Sequence, residues 1–311
     1  MAYLAEYQAN GKLLLTGEYA VLDGAQALAV PTKLGQRLEI VHHKNNLNPT
    51  LQWSSFDEQN QRWFQAEFSL PKLQILATSD ELVSQRLLQL FQVIRLRHPS
   101  FLTGSLSLQA NIYLEFPRNW GLGSSSTLVY LLAQWAEVDP FPLQFEVFSG
   151  SGYDIACAGT QQPIFYQRVQ EKPLVQEVEF APDFLDQLYF VYLGQKQDSR
   201  KGIAQYRKNA KQQARLVKTI TSLTHDFLAA KDLKTLEKVI EEHEAIVAES
   251  IAMETAKATR FQDYWGAVKS LGAWGGDFIL ATSDRSREEV STYFRNKNYQ
   301  TIFRYKDLII N

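Results

Sequence analysis

The sequence predicts an α+β protein with a β-rich first half and a second half related to the ferredoxin-like sandwich. Polar and apolar residues alternate near the start, which predicts short strands over residues 12–15, 26–30 and 36–42. Apolar residues at helical spacing over 203–251 predict two or more antiparallel helices. After residue 188 the predicted order is β-α-α-β-α-β, which is typical of a ferredoxin-like fold.

The remaining elements of the first half follow from the same two periodicities. Helical spacing of leucine, phenylalanine and isoleucine predicts a helix over 81–97, and a glycine-serine turn at 121–126 precedes a predicted helix over 127–137. Further strands are predicted over residues 51–53, 63–68 and 105–116.

The second half is predicted to begin with a strand over 188–193, before the long helical region. Its last elements are a helix over 261–271, a glycine loop, a strand over 278–282, a helix over 285–296 and a strand over 301–305. The change of pattern lies between residues 166 and 184, so we predict two domains, 1–175 and 176–311.

Composition excludes several classes of protein. The chain has 311 residues, of which 45% are hydrophobic and 21% charged, so it can bury a core and is not globally disordered. A formal charge of −2 gives no broad basic surface for nucleic acid or anionic lipid. Cys157 is the only cysteine, which leaves no internal disulfide and no cysteine zinc cluster. With no signal-like start and no long apolar run, we expect a cytoplasmic protein without membrane contact.

The loop with the strongest chemical signal reads Pro-Arg-Asn-Trp-Gly-Leu-Gly-Ser-Ser-Ser over residues 117–126. It lies between a predicted strand and a predicted helix, where backbone N–H groups at a helix N-terminus can bind a phosphate. The alternative is a serine-rich cap after a tight turn. The loop contains neither a Walker A sequence nor Gly-x-Gly-x-x-Gly.

Three further segments carry candidate residues. Residues 9–19 place Lys12 at the mouth of an apolar strand, where a solvated lysine is the simpler interpretation. Residues 149–156 place Asp154 after a flexible loop, where it could instead cap a helix. Residues 272–277 form a second glycine loop, which could be a helix cap followed by a turn.

Together and in this order, the segments resemble the GHMP kinase superfamily, named for galactokinase, homoserine kinase, mevalonate kinase and phosphomevalonate kinase. Its second motif, Pro-x-x-x-Gly-Leu-Gly-Ser-Ser, is reproduced over 117–125. Residues 12–19 and 150–156 resemble motifs of the phosphomevalonate kinase branch. The resemblance implies a two-domain fold, with an N-terminal nucleotide-binding domain like the second domain of ribosomal protein S5 and a ferredoxin-like C-terminal domain.

The resemblance also implies roles for single residues. The loop would hold the phosphates of ATP, Asp154 would orient or deprotonate the acceptor hydroxyl, and Lys12 would pair with Asp154 and stabilise the transferring phosphoryl group. The cofactor-binding residues would be Gly121, Leu122, Gly123, Ser124, Ser125 and Ser126. The substrate-binding residues would be Glu18, Gly152, Tyr153, Lys196, Gly275 and Gly276.

Ser125 is the predicted Mg²⁺ ligand, with one carboxylate beside it. The stretch between Ser126 and Gly150, residues 127–149, is short for the family, so Glu146 and Glu137 both remain candidates and Glu146 is preferred. The third motif is also altered, because its glycine run carries Trp274 and Asp277. Asn10 replaces the usual proline of the first motif.

The implied activity is an ATP-dependent kinase acting on a small, anionic alcohol or phosphate, with phosphomevalonate ahead of mevalonate and both ahead of sugars. Lys196, in the polar loop after the strand at 188–193, adds modest support for an anionic acceptor, although a solvated helix start is the simpler interpretation. The alternatives are a diphosphomevalonate decarboxylase-like enzyme, a sugar or homoserine kinase, and a non-catalytic nucleotide-binding regulator. We predict that three tryptophans, Trp53, Trp63 and Trp120, pack in the core or at its rim. The second interpretation of Trp120 is that it forms a wall of the nucleotide site. The oligomeric state is left open.

Overall fold

The computed structural model describes residues 2–42, 48–170, 172–194, 199–208 and 213–310. They fall into two compact units, each assembled from separate stretches of the chain. Unit 1 comprises Met1–Gly11, Leu34–Arg118 and Leu122–Gly159, and unit 2 comprises Lys12–Lys33, Asn119–Gly121 and Thr160–Asn311. The domain boundary after residue 175 stays a prediction. Within the described ranges, no helix is both long and apolar enough to span a membrane.

Two long strands contribute residues to both units, namely β1 (Ala2–Thr16) and β2 (Ala27–His42), and they pair with each other. Unit 1 adds β3 (Thr50–Phe56), β4 (Arg62–Ser69), β5 (Ile75–Thr78), α1 (Glu81–Arg97), β6 (Leu108–Leu114), α2 (Ser124–Ala136), α3 (Pro140–Val147) and α4 (Tyr153–Ala158). Its strand order is β5-β4-β3-β6-β2, in which only the β3–β6 pair is parallel.

The core of unit 1 lies between this sheet and its helices. On β3, Leu51 and Trp53 are buried while Gln52 is exposed, as expected for a strand with one face against the core. On α1, one stripe is buried, and the helix begins where the Asp80 carboxylate accepts the N–H groups of Leu82 and Val83. The predicted helix over 81–97 is therefore confirmed, and it starts at a capping residue.

Unit 2 contains β7 (Ile164–Val169), β8 (Lys172–Glu177), β9 (Leu188–Tyr192), α5 (Ser199–Lys208), α6 (Gln213–Ala229), α7 (Leu233–Ile251), α8 (Ala256–Arg260), β10 (Val268–Ser270), β11 (Phe278–Thr282), α9 (Arg287–Asn296), β12 (Ile302–Arg304) and α10 (Tyr305–Leu308), with short 3-10 turns at Ala20–Asp23 and Leu185–Gln187. Here the start of β2 pairs with β7, and β7 pairs with β8. A separate antiparallel sheet has the order β10-β11-β9-β12.

This second sheet confirms the ferredoxin-like prediction and corrects one of its elements. The order β10-β11-β9-β12 is that of a β-α-β-β-α-β fold, with its first and third strands, β9 and β11, buried in the centre. The predicted helix over 261–271 is wrong, because α8 ends at Arg260 and β10 pairs with β11. Phe261, Tyr264 and Val268 have helical spacing, but a turn and a strand bury them instead.

Candidate functional site

The loop over residues 117–126, here called the serine loop, leads into α2, whose N-terminus lies in unit 1. Gly123 precedes the helix with φ 95°, and no side chain caps the first turn. The Ser126 hydroxyl is buried and donates to the Gly123 carbonyl, with the oxygens 2.8 Å apart. Ser125 is exposed and Ser124 is half-buried, and neither hydroxyl has a hydrogen bond among the described residues. Two of the three predicted serine hydroxyls are therefore available to a ligand, while Ser126 supports the helix start.

A cavity of about 290 Å³ in unit 1 includes Ser124 and Ser125 in its lining. Its walls are aromatic and aliphatic, with Trp53, Trp63, Phe64, Leu82, Val83, Leu87, Ile112, Leu114, Leu128 and Phe148. Gln36, Ser55, Arg86 and Arg118 complete the lining, which contains no aspartate or glutamate. A concave, mostly apolar cavity with a few polar groups on one side is the usual form of a small-molecule site.

Both arginines of the cavity lie over aromatic rings. The Arg118 guanidinium carbon is 3.6 Å from the ring centroid of Trp63, and that of Arg86 is 5.2 Å from the centroid of Phe148. Arg86 also donates to the Val147 carbonyl at 2.5 Å. The positive charges favour an anionic ligand, because the lining offers no carboxylate to neutralise them.

Lys12 lies in unit 2, near the end of β1. Its ammonium donates to the carbonyl of Gly121 at 2.9 Å, and its side chain is half-buried. The structure therefore brings together two predicted site residues, one from each of the first two motifs. Beside them, Trp120 packs against Tyr192, Phe278 and Phe303, which confirms the packing role predicted for Trp120.

Asp154 lies in unit 1, in the first turn of the short helix α4. Gly152 precedes the helix with φ 93°, and Tyr153 is its first residue. The Asp154 side chain is half-buried, and its Oδ1 accepts the N–H of Ile155 at 3.2 Å. Because Ser149 and Gly150 also have positive φ, the loop before α4 depends on residues that tolerate left-handed backbone. The predicted pairing of Asp154 with Lys12 stays a prediction.

Glu18 has a different environment from the one expected of a substrate-binding residue. Its side chain is buried in unit 2, and its Oε1 lies 2.5 Å from the ammonium of Lys269, which is itself buried. Glu244 is a second buried carboxylate near that ammonium, with its Oε1 at 3.8 Å. Burial favours a structural role for Glu18 over the predicted substrate contact.

Lys269 carries one positive charge and cannot neutralise two buried carboxylates, so one of them lacks a counter-charge. Burial is the main cause that raises the pKa of Glu244, to about 8, while Lys269 opposes the shift and Glu18 adds to it. Burial also raises the pKa of Glu18, against the effect of Lys269. Since the shorter contact is with Glu18, we assign the carboxylate charge to Glu18 and the proton to Glu244 at neutral pH.

His243 adjoins the same cluster but carries no charge. Its Nε2 accepts the N–H of Gly17 at 3.2 Å, so the proton of the ring is on Nδ1. Nε2 is also 3.5 Å from Oε2 of Glu18, but two acceptors at this distance form no ion pair. Burial, and secondly Lys269, lower the pKa of His243 well below its usual value. His243 is thus a buried core histidine.

The glycine loop over residues 272–277, in unit 2, buries its bulky residue. Trp274 is buried, its backbone N–H donates to the Tyr19 hydroxyl at 3.0 Å, and its indole N–H donates to the Glu254 carbonyl at 3.0 Å. The Gly275 carbonyl accepts a hydrogen bond from Arg260 at 3.1 Å. Trp274 therefore anchors the loop, and substrate contact by Gly275 and Gly276 stays a prediction.

The two carboxylates predicted for the metal site differ in position. Glu137 follows the last residue of α2, so it lies about 18 Å along the helix from Ser125 and cannot share an ion with it. Glu146 is on α3, where it forms a salt bridge with Arg97. Across the described ranges, no group of three or more His, Cys, Asp or Glu side chains could hold a metal ion. Lys196 lies outside the described residues.

Sequence reasoning missed the cavity and most of its lining. Arg118 lies within the second motif, at a position where the motif specifies no residue type. Its size and positive charge were a signal for a site residue, but the motif match did not use them. Trp63 was assigned to packing, and its place under Arg118 depends on residues 55 positions apart in the chain. The Glu18–Lys269 pair joins residues separated by 251 positions, which no local pattern reveals.

No protein-family model and no curated protein matches this sequence. Among solved structures, mevalonate kinase from Methanococcus jannaschii aligns with a TM-score of 0.71 and 14% identity, over 100% of this chain and 99% of its own. Phosphomevalonate kinase from Streptococcus pneumoniae, solved with phosphomevalonate and AMPPNP, aligns with a TM-score of 0.69 and 17% identity, over 97% and 100%.

Galactokinase from Lactococcus lactis, solved with galactose, aligns with a TM-score of 0.68 and 13% identity, over 98% of this chain and 93% of its own. At such identities the similarity is one of fold. It extends over nearly the whole length of kinases with different substrates. The chain thus has the two-domain α+β fold that these kinases share.

Proposed function

We propose that this protein is an ATP-dependent kinase that phosphorylates a small-molecule acceptor. The observation that carries the proposal is the cavity of unit 1, which has aromatic walls and the free hydroxyls of Ser124 and Ser125 at the uncapped start of α2. An aromatic base fits the first feature, and a phosphate fits the second. The fold similarity to a kinase solved with AMPPNP supports the same ligand.

The residues present fit a nucleotide in their chemistry. Aromatic side chains line the cavity, Trp53, Trp63 and Phe148 among them, and the lining carries two guanidinium groups and no carboxylate. Gly121, Leu122 and Gly123 would bring the backbone close to the phosphates, because glycine leaves room for such an approach. Ser126 contributes through its backbone alone, since its hydroxyl already donates to Gly123.

A Mg²⁺ ion fits this site only with modest help from the protein. When bound with the nucleotide, Mg²⁺ would neutralise negative charge on the phosphates. Ser125 would hold it through its exposed hydroxyl, and Mg²⁺ commonly keeps several waters, so few protein ligands are needed. Glu146 would have to leave Arg97 before it could serve as the second ligand.

Asp154 and Lys12 are the proposed catalytic residues. Asp154 would orient or deprotonate the acceptor hydroxyl, and its half-buried carboxylate is held by the N–H of Ile155. Lys12 would stabilise the transferring phosphoryl group, and its bond to the Gly121 carbonyl fixes its ammonium beside the loop.

The acceptor is proposed to be phosphomevalonate, then mevalonate, then a sugar. The motif forms over 12–19 and 150–156 support this order. The fold comparisons do not rank it, because a mevalonate kinase and a galactokinase have TM-scores of 0.71 and 0.68. A decarboxylase of the diphosphomevalonate type would release CO₂, and a regulator would bind ATP without turnover.

The test is a coupled assay of ADP release with Mg-ATP and a panel of phosphomevalonate, mevalonate, homoserine and several sugars. We expect turnover with one acceptor to exceed the background hydrolysis of ATP by at least about 10²-fold. Calorimetry with Mg-ATP accompanies the assay. Absence of both binding and turnover would contradict the proposal, whereas binding without turnover would favour the regulator, and CO₂ release the decarboxylase.

A further inference from the structure

We propose that Arg118 is a nucleotide-binding residue that holds a phosphate of the ligand while its guanidinium stays stacked on Trp63. This inference rests on the proposed nucleotide site and deepens it. It assigns to Arg118 a role in distinguishing phosphorylated nucleotides from the bare nucleoside. The motif that contains Arg118 specifies no residue type at this position.

The Arg118 guanidinium lies over an aromatic ring. Its carbon lies 3.6 Å from the centroid of the Trp63 ring, so the planar group rests on the indole. A guanidinium has five N–H donors along its edges, and stacking occupies its face but not those edges. Stacking therefore holds the group in place with its donors still available.

The Arg118 guanidinium has no competing polar partner among the described residues. Arg118 is exposed, and no ion pair or hydrogen bond joins it to another residue in the described part of the chain. Arg86, the other arginine of the cavity, already donates to the Val147 carbonyl and lies near Phe148. Arg118 is thus the cavity cation with the most donors left for an incoming anion.

Arg118 shares the cavity lining with the two serines. Arg118, Ser124 and Ser125 all line one cavity of about 290 Å³, and that lining has no acidic residue. A ligand with a phosphate near α2 would bring negative charge into the cavity that Arg118 also lines. Guanidinium–phosphate contacts are charge-assisted and often bidentate, so they stabilise such a ligand more than a neutral one.

The experiment compares calorimetric affinities for ATP, ADP and adenosine in the wild-type protein and two variants. Arg118→Ala should weaken ATP and ADP binding by about 10- to 100-fold, the range of one charge-assisted contact, with adenosine changed by less than about threefold. Arg118→Lys keeps the charge but loses the planar fork, so it should recover only part of the affinity. Lys72→Ala removes a charge from an exposed turn of unit 1 outside the cavity lining and should change nothing.

The outcomes separate this inference from the proposed function. If the wild-type protein binds ATP and Arg118→Ala binds it equally well, the role of Arg118 is wrong and the nucleotide site stands. If Arg118→Ala loses adenosine as strongly as ATP, Arg118 only supports the cavity wall through Trp63, which also overturns the inference. If the wild-type protein binds no nucleotide, the site itself is wrong. Circular dichroism checks that each variant is folded.

Discussion

The carboxylate of Asp277 lies against Gly121 where any other residue at that position would need its β-carbon. An ideal Cβ on Gly121 would lie 2.5 Å from Cγ of Asp277. Gly121 also has φ 69°, a left-handed conformation, and its carbonyl accepts the Lys12 ammonium at 2.9 Å. The glycine loop at 272–277 thus contacts the start of the serine loop, and glycine is required at position 121 for both space and backbone conformation.

Gly121→Ala should therefore destabilise the protein by about 1–3 kcal/mol and reduce turnover, because it combines backbone strain with a steric conflict. Thermal denaturation and the ADP-release assay measure the two effects. Gly104→Ala is the matched control, since nothing lies within 4 Å of its Cβ position and its φ is not positive. Adding Asp277→Gly should recover part of the loss in Gly121→Ala, and no recovery would mean that the steric conflict is unimportant.

Ser125→Ala and Ser126→Ala should have opposite signatures. The exposed Ser125 hydroxyl is the proposed metal ligand, so its loss should lower kcat/KM by about 10-fold or more and raise the Mg²⁺ concentration needed for activity. The Ser126 hydroxyl bonds to the Gly123 carbonyl, so its loss should cost about 1 kcal/mol of stability with activity largely retained. Equal Mg²⁺ dependence in the two variants would contradict the assignment of Ser125.

Asp154→Asn should reduce turnover by about 10²-fold or more, the scale of a lost base or orienting group, and leave Mg-ATP affinity within a few fold. The amide keeps the shape of the side chain, so the fold should persist. Glu58→Gln, at an exposed turn of unit 1, removes the same charge as a control. Near-normal turnover of Asp154→Asn in steady-state kinetics would remove Asp154 from the mechanism.

The buried pair of carboxylates in unit 2 should make stability depend on pH. The pKa of Glu244 is raised to about 8 in the folded protein by burial, above its value in the unfolded chain, so folding takes up a proton between these two values. Stability is therefore greatest on the acid side of this window and falls as pH rises through about 8. His243, whose pKa is lowered, acts below about 6.5 in the opposite direction, because unfolding there takes up a proton.

We expect the wild-type melting temperature to fall between about pH 6.5 and 8, and Glu244→Gln to flatten this part of the profile. Differential scanning fluorimetry across this range measures it. Glu241→Gln, an exposed position on the same helix that pairs with Lys257 at 3.7 Å, should keep the wild-type slope. An unchanged slope in Glu244→Gln would assign the titration to another group.

The helices that depend on interactions between neighbouring residues could be predicted from the sequence. The helix over 81–97 could be predicted because its apolar residues repeat at helical spacing within the segment itself, and several of them form the stripe that the structure buries. The helix over 261–271 was wrong because Phe261 and Tyr264 have helical spacing for a different reason, burial around a turn. Whether such residues enter a helix is decided by the pairing of β10 with β11, which depends on residues further along the chain.

The same distinction between local and long-range interactions applies to the candidate site. The serine loop was visible because glycine and serine at fixed spacing have a direct backbone function. The stacking of Arg118 on Trp63 was not visible, because it requires the strand positions of unit 1 to be known first. The same applies to Glu18, which stands in a recognised motif but is buried beside Lys269, at the other end of the chain.

The assignment of Lys12–Lys33 to unit 2 limits how this protein can be dissected in the laboratory. A gene fragment encoding only residues 176–311 would encode Lys269 without Glu18, Trp274 without the Tyr19 hydroxyl, and Thr224 without its bond to Thr16. Such a fragment would retain a buried ammonium with its nearest counter-charge removed. Split expression or domain exchange should therefore transfer the segment 12–33 together with the C-terminal residues.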